Sequence, residues 1–516
     1  MAVFSSIKRD LKKSLILKLM LFAFIIYFAF AGFYKLNYLP GLHGDEAWIG
    51  IKANSFNQFG IHQIRGMNTY TGILQILISQ LVFKVWGIGV FQLRAGTVVL
   101  NILTFLTIIF YLIKQKQSGS AIFYMLILAQ SSLILAFYRV AWEVNTLTHF
   151  FLATSFILLK SINKNSRWNF WYFFLFLLVN ILASYNHIIF SCAPIAGFFA
   201  LIIWKLNTGG KTYDHIAWLL CINLMNIVGI FLIMNYCNYP IGENLLLSLS
   251  MLLIIVLIEI WSVQYLTKQI PFEIPKIMIL DLPIKAFLTI GILIFVFFHG
   301  IAFASVLANY KILLEVYSFE QSTFYKIVFV INAVILAVYF SHCLYRVFNK
   351  QNVPFFAFFI IVYLCLFNLY TRNTSYRYYL EFYFIFTFFV ATNLAVKTNR
   401  LVTLSLLLTF SITVHTFCVI FFFNRPLKAI RFVRSPGQVE TSAHFLPKEP
   451  LLDFIKKNNI GYITSLTDNS FFITQPLEFY NLVKERPDTA SRSVLIMYDY
   501  KHYGSGFQFV KSNNAP

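Results

Sequence analysis

The sequence predicts an all-α polytopic membrane protein of about 13 transmembrane helices, followed by a small α/β domain. Its composition is the first observation: 59% of the 516 residues are hydrophobic and 12% are charged, well below the charged fraction of a soluble domain. The second is that apolar residues occur in runs of about 20, the length of a helix that crosses the hydrocarbon layer. The third is that basic residues recur in the short loops on one side of the predicted membrane spans.

Thirteen apolar runs predict the spans. They are 15–36, 91–113, 119–138, 144–160, 168–184, 188–204, 214–236, 244–266, 284–308, 324–346, 353–371, 378–396 and 401–423. The basic N-terminus and the basic loops then share the cytoplasmic side, as the positive-inside rule requires. No small-residue cleavage site follows the first run, so we expect a retained helix and not a removed signal peptide.

The first outer loop, residues 37–90, is predicted to contain two helices that lie in the membrane interface. Counting the apolar run 70–86 as a span would move every later basic loop to the opposite side, so we interpret it as an amphipathic interfacial helix. Residues 45–59 predict a second such helix. The predicted transmembrane domain covers residues 1–423 and includes this loop.

Residues 424–516 change in character, with several prolines, scattered charge and short β-like runs. The runs "GYITSL", "SVLIMYDY" and "FQFVK" predict strands, and "PLLDFIKKNN" predicts a helix between the linker and the first strand. We therefore expect a C-terminal extracytoplasmic α/β domain on the same side as the first outer loop.

The net charge of +21 would suggest nucleic acid as a partner of a soluble protein. Here the basic residues lie in short loops, where they set topology and contact lipid headgroups, so no nucleic-acid partner is predicted. The six cysteines lie in or beside apolar runs without the spacing of metal ligands, and we interpret them as packing residues.

Acidic residues at the outer boundary are the candidate catalytic groups. Asp45 and Glu46 follow the first span in "HGDEAWIGI", and Glu143 lies between two spans in "FYRVAWEVN". Carboxylates there suit a general base, or together a divalent cation, which is the one cofactor that the sequence suggests. The alternatives are that Asp45 is a helix N-cap and that Glu143 pairs with Arg139.

Basic and aromatic residues on the same side are candidates for binding a phosphate. They are Arg94 in "FQLRAG", His187 in "ASYNHIIF", and Arg372, Arg377 and Tyr378 in "YTRNTSYRYYLEF". A guanidinium binds phosphate through two parallel hydrogen bonds, which favours arginine in this role. The alternatives are headgroup anchoring within an aromatic belt and, for the histidine, an ordinary interfacial position.

The sequence resembles C-type glycosyltransferases. "HGDEAWIGI" is similar to the Asp–Glu motif in the first outer loop of protein O-mannosyltransferases and lipid A aminoarabinose transferases, and "LAFYRVAWEVN" resembles their second acidic site. The similarity covers roughly 39–200. Paired prolines that often precede the interfacial helix are absent from "GMNTYTGIL", and His187 stands where some relatives carry a lysine.

The resemblance implies an inverting transferase of the inner or plasma membrane with a polyprenyl-phosphate-linked sugar as donor. Asp45 would be the catalytic base, accompanied by Glu46 and Glu143, and the acceptor would be lipid A, another glycolipid, an envelope glycan or a protein. We expect the site on the periplasmic or extracellular side.

Two other functions remain open. A transporter or flippase of a lipid-linked glycan would need ionisable residues along a mid-membrane path, where the sequence offers mainly Glu259 and His299. A glycan polymerase or ligase would differ from the sugar transferase described above only in its acceptor.

Overall fold

A computed structural model describes most of the chain around the candidate site. The described residues are 2–68, 70–161, 169–197, 199–200, 228, 290, 293, 312–317, 319, 322–348, 355–370, 376–394, 400–422, 430–432, 438–441, 445–446, 460–465, 471–483, 493–499 and 507–512. The predicted spans 214–236, 244–266 and 284–308, with Glu259 and His299, lie outside them, so the count of 13 stays a prediction.

The described part is mainly helical. Its helices are α1 (Ala2–Phe33), α2 (Gly44–Phe59), α3 (Leu74–Trp86), α4 (Val90–Lys114), α5 (Ser118–Ala129), α6 (Ser132–Phe137), α7 (Glu143–Ser161), α8 (Asn169–Asn186), α9 (Ile312–Tyr317), α10 (Thr323–Phe348), α11 (Phe355–Tyr370), α12 (Tyr379–Leu394), α13 (Arg400–Phe422) and α14 (Phe471–Leu482). Its strands are β1 (Leu42–His43), β2 (Ile430–Phe432), β3 (Gln438–Thr441), β4 (Phe445–Leu446), β5 (Ile460–Ser465), β6 (Ser493–Asp499) and β7 (Phe507–Ser512). Short 3₁₀ turns lie at Ile188–Ser191 and Tyr376–Tyr378.

Three helices, α4, α10 and α13, are long and apolar enough to cross a membrane within the part of the chain that the structure describes. They coincide with the predicted spans 91–113, 324–346 and 401–423, and several shorter apolar helices accompany them. The polytopic helical class is thereby confirmed. Large apolar side chains remain exposed along α10, as expected of a helix that faces lipid.

The core of the bundle forms around α5 and α12, whose apolar side chains are buried on all sides. The predicted span 119–138 is not one continuous helix, because it is interrupted between α5 and α6. Ser131 caps α6 by accepting the N–H of Ile134 at 3.3 Å. Beside it, the amide of Gln130 bonds Tyr383 at 3.2 Å and Asn332 at 3.2 Å, which ties the break to two neighbouring helices.

The first outer loop contains the two helices that the sequence predicts, α2 and α3. On α3 the side chains of Leu81, Val85 and Trp86 are all at least 60% exposed, which leaves an apolar face uncovered by protein. Such a face suits a helix in the membrane interface, although that location stays a prediction.

The C-terminal segment forms a five-stranded sheet in the order β2-β3-β7-β6-β5. Strands β5 and β6 are parallel and the other neighbours are antiparallel. The three predicted strands are present, but β2 and β3 precede the strand that we expected to be first, and α14 was not predicted. The predicted helix "PLLDFIKKNN" lies outside the described residues.

The C-terminal segment packs directly on the first outer loop. Strand β4 pairs with β1 so that Phe445 lies opposite His43. On the other side, α14 packs on α2, where a Cβ added to Gly50 would come within 2.4 Å of the Phe479 ring. Only glycine allows this close approach, so Gly50 lets α14 lie against the helix that begins with the candidate acids.

Candidate active site

Asp45 lies in the first turn of α2, and the residue that caps this helix is His43. The Nδ1 atom of His43 accepts the backbone N–H of Asp45 at 3.1 Å. The alternative in which Asp45 itself is the N-cap is therefore wrong. In the first turn its carboxylate is free to face outward from the helix, and the helix dipole favours its negative charge.

An ion pair joins Asp45 to Arg377 across 332 residues of sequence. Nη1 of Arg377 donates to Oδ2 of Asp45 at 2.7 Å, and Nη2 donates to the hydroxyl of Tyr378 at 3.0 Å. The other carboxylate oxygen, Oδ1, makes no hydrogen bond with the described residues. The site therefore holds a carboxylate with one engaged and one available oxygen.

Arg377 retains donors beyond these two bonds. Its guanidinium lies 4.3 Å from the centre of the Trp142 ring and 4.9 Å from that of Tyr378, so two aromatic faces hold it in place. Its Nε is buried and has no partner among the residues that the structure describes. Two of the five guanidinium N–H groups are engaged, which leaves three for an incoming anion.

Glu143 is the first residue of α7, just outside the predicted span 144–160. Burial raises the pKa of its carboxyl to about 7, the charge of Asp45 adds to the rise and Arg377 opposes it. The predicted pairing with Arg139 is contradicted, because Arg139 precedes the helix. Its guanidinium instead donates to the carbonyl of Tyr34 at 2.6 Å and lies over the ring of Phe421.

His187 is held at the same site as a neutral side chain. Its Nδ1 accepts the N–H of Ile189 at 3.1 Å, capping a 3₁₀ turn. Burial and the positive charge of Arg377 lower the pKa of His187 to about 3. The ring therefore carries its proton on Nε2 near neutral pH and can donate one hydrogen bond, but it cannot form an ion pair with a phosphate.

Glu46 and Arg94 form a second, closed ion pair. Nε and Nη2 of Arg94 donate to the two carboxylate oxygens, each at 2.7 Å, and Oε1 of Glu46 also accepts the N–H of Ala141 at 3.0 Å. The other three N–H groups of Arg94 bond the carbonyls of Leu36, Pro40 and Gly41.

This pair is completely buried, with 0% exposure of both side chains. All five donors of Arg94 are engaged, so no N–H remains for a phosphate. The geometry therefore opposes the prediction that Arg94 binds the donor and that Glu46 acts on substrate. Both residues instead hold the turn 36–41 against α2.

The remaining predicted residues separate into two cases. Tyr378 lies in the cluster, where its hydroxyl accepts from Arg377 and its ring is 5.9 Å from that of His187. Arg372 lies outside the described residues. The structure thus brings together Asp45, Glu143, His187, Arg377 and Tyr378.

Two residues of the cluster were missed. Burial raises the pKa of Tyr70, and the nearby Tyr378, Glu143 and Asp45 raise it further, whereas Arg377 lowers it. The hydroxyl of Tyr70 therefore lies among the charged groups of the cluster. Its ring packs on His187 at 5.5 Å. Trp142 supports Arg377. With aromatic residues at 19% of the chain, neither stands out, although Trp142 directly precedes Glu143.

The acids do not fit the predicted divalent cation. Asp45 and Glu46 each face an arginine at 2.7 Å, which supplies the positive charge that a cation would bring. Among the described residues, no group of three or more histidine, cysteine, aspartate or glutamate side chains is placed to hold a metal ion. We therefore derive no step through a metal.

No protein-family model matches the chain, and no curated protein matches it. Among solved structures, the chain is similar to an oligosaccharyltransferase from Archaeoglobus fulgidus in complex with Zn and sulfate. The two are 12% identical with a TM-score of 0.47, over 78% of this chain and 52% of that one. This chain thus spans about half the length of the archaeal protein.

Two further likenesses are to structures with bound isoprenoid phosphates. The first is the oligosaccharyltransferase AglB from Archaeoglobus fulgidus with an inhibitory peptide and a dolichol-phosphate: 11% identity, TM-score 0.44, 93% of this chain and 57% of that one. The second is ArnT from Cupriavidus metallidurans bound to undecaprenyl phosphate: 9% identity, TM-score 0.37, 95% of this chain and 97% of that one. These neighbours are glycosyltransferases of the kind that the sequence resembles.

Proposed function

We propose that the chain is an integral-membrane, inverting glycosyltransferase that takes a sugar from a polyprenyl-phosphate-linked donor. The observation that carries the proposal is the Asp45–Arg377 pair, in which a carboxylate with one available oxygen lies 2.7 Å from an arginine with spare donors. A base for the acceptor and a cation for the leaving phosphate are the two groups that this transfer needs.

Arg377 would hold the donor phosphate. Its three unengaged N–H groups allow the bidentate contact that guanidinium makes with phosphate, and the rings of Trp142 and Tyr378 fix its plane. His187 would add a neutral donor through Nε2. The sequence named both Arg94 and Arg377 as candidates for this role, and we propose Arg377 because all five N–H groups of Arg94 are engaged.

Asp45 would be the general base. The acceptor oxygen bonds to C1 of the sugar while the bond from C1 to the phosphate oxygen breaks, and the electron pair leaves with the phosphate. The proton of the acceptor hydroxyl passes to Oδ1 of Asp45. The charge of Asp45 contributes to the raised pKa of Glu143, about 7, so the two carboxyls are electrostatically coupled and Glu143 would exchange that proton with the site.

The position of the cluster favours a substrate that remains in the membrane. Its members lie at the ends of apolar helices, so a lipid-borne sugar could enter sideways from the bilayer and meet groups at the interface. We propose that the site faces the periplasmic or extracellular side of the inner or plasma membrane. The acceptor would be a glycolipid such as lipid A, an envelope glycan or a protein.

The experiment uses the full-length chain in proteoliposomes with a radiolabelled polyprenyl-phosphate-linked sugar and a mixed acceptor fraction. We expect label on the acceptor and release of polyprenyl phosphate by the wild type but not by Asp45→Asn. Glu478→Gln, at an exposed acid on α14, is the matched control and should transfer normally. Movement of intact donor between leaflets without bond cleavage would instead support the transporter alternative.

A further inference from the structure

A cavity of about 540 Å³ opens between α2, α3 and the end of α14. Its lining includes Asn54, Asn57, Phe83, Lys84 and Ile88. None of these residues belongs to the Asp45 cluster. The volume is within the range of about 300–1,000 Å³ that small-molecule sites occupy.

Polar groups without protein partners face this cavity. Asn54 is only 6% exposed, and its amide makes no hydrogen bond with any described residue. Nδ2 of Asn57 donates to the carbonyl of Gln80 at 3.5 Å, but the Oδ1 atom of Asn57 is buried and lacks a partner in the described part of the chain. Because leaving a buried acceptor unbonded costs about 1–3 kcal/mol, this oxygen is suited to a ligand that donates a hydrogen bond.

The cavity also lies where three helices end. Helices α2, α3 and α14 finish at Phe59, Trp86 and Leu482, and the last carbonyls of a helix have no partner within it. Caps satisfy one carbonyl of each helix, and Gln92 also donates to the carbonyl of Trp86. The partial negative charge at the C-terminal ends of these helices disfavours an anion and favours a ligand with O–H donors.

We propose that this cavity binds a sugar unit. Hydroxyl groups would donate to the helix-end carbonyls and to Asn57, and accept from the amide of Asn54 and the ammonium of Lys84. The apolar face of the ring would pack on Phe83 and Ile88. A lipid acyl chain would leave the amide of Asn54 and the Oδ1 atom of Asn57 unbonded, so it fits the lining less well.

A sugar site here suggests that the acceptor of the proposed transferase is a glycan. The role of the cavity in catalysis rests on that proposed function. Asn54 follows Asp45 on the same helix by nine residues, about 13 Å along the axis. A glycan of several units could therefore lie in the cavity while its terminal hydroxyl reaches Asp45. Sugar binding itself needs no transfer activity.

The test is saturation-transfer NMR on the full-length protein in a sugar-free detergent, with mannose, galactose and N-acetylglucosamine as separate probes. We expect at least one probe to bind and both Asn54→Leu and Lys84→Ala to weaken its binding by about tenfold, the loss of one or two hydrogen bonds. The matched control is Lys52→Ala, whose ammonium lies over the Trp48 ring outside the cavity and whose loss should change nothing.

Binding and transfer are separated by the Asp45→Asn variant. It should bind the probe as the wild type does, so a chain that binds sugar without transferring it would refute only the proposed activity. The cavity proposal is overturned if no probe binds the wild type, or if folded Lys84→Ala, altered at an exposed position, binds it equally well. Displacement of the probe by a spin-labelled fatty acid would assign the cavity to lipid instead.

Discussion

Two adjacent acids on one helical turn face two arginines, and the two pairs differ in what they leave free. Both pairs have N–O distances of 2.7 Å. In the Glu46–Arg94 pair both side chains are 0% exposed and every guanidinium N–H is bonded. In the Asp45–Arg377 pair the arginine is 20% exposed, and only two of its N–H groups are engaged.

This difference separates a structural pair from a site. A buried and fully bonded pair can hold the chain in place, but it has no group left to meet a substrate. A pair with spare donors and an available carboxylate oxygen can exchange one partner for a ligand. Both pairs join a carboxylate to a guanidinium, so the geometry and not the chemical type decides their roles.

Arg94→Ala should have the largest effect. It leaves the carboxylate of Glu46 buried without its cation and three carbonyls without a donor, a loss of about 3–5 kcal/mol of folding free energy. We expect little folded protein, measured as the monodisperse fraction in detergent and the unfolding temperature. A well-folded Arg94→Ala protein with a raised donor KM would reverse the assignment of the two pairs.

Arg377→Ala should lower kcat/KM for the donor by about 100-fold through loss of the phosphate contact. Because the Arg377 side chain is partly exposed, the unfolding temperature should change far less than in Arg94→Ala. The control is Arg400→Ala, at an exposed arginine that begins α13. Unchanged donor kinetics in Arg377→Ala would remove this residue from the site.

The sequence predicted which residues could form the site but not how they pair. The boundary positions of Asp45, Glu143, His187 and Arg377 indicated that they could meet on one side, and the structure brings them together. The sequence could not tell which acid faces which arginine. Neighbouring residues on a helix point about 100° apart, and the partner of Asp45 comes from a turn 332 residues away.

Other features escaped prediction for related reasons. The break between α5 and α6 follows from hydrogen bonds that Gln130 makes with distant helices, and no glycine or proline marks it. The docking of α14 depends on the fit of Phe479 over Gly50. Helices α4, α10 and α13, in contrast, follow from local apolar composition, and they coincide with three of the predicted spans.

Trp142→Leu should weaken donor use by about five- to tenfold. The substitution removes the ring face 4.3 Å from the Arg377 guanidinium, a contact worth about 0.5–2 kcal/mol, and leaves the ion pair in place. The measurement is donor KM at constant acceptor. Trp48→Leu, at a tryptophan on α2 whose ring lies beside Lys52, is the matched control, and an equal loss in both variants would count against a specific role.

Glu143→Gln should raise the stability of the fold, and the size of this effect should depend on pH. Burial raises the pKa of Glu143 from 4.5 to about 7, so the folded state favours the protonated form and this contribution to stability is lost as pH rises through 7. Glutamine remains uncharged, so the variant should unfold at a higher temperature than the wild type at pH 8. The two should converge near pH 4.5 or below, and a constant difference from pH 4.5 to 8 would contradict the raised pKa.

The central claim is that the carboxylate facing Arg377 takes the proton of the acceptor. Its most direct test is single-turnover transfer by Asp45→Asn with saturating donor, beside an equilibrium measurement of donor binding. We predict a rate at least about 1,000-fold below that of the wild type, with donor Kd within about threefold. A transfer rate close to that of the wild type would contradict the claim.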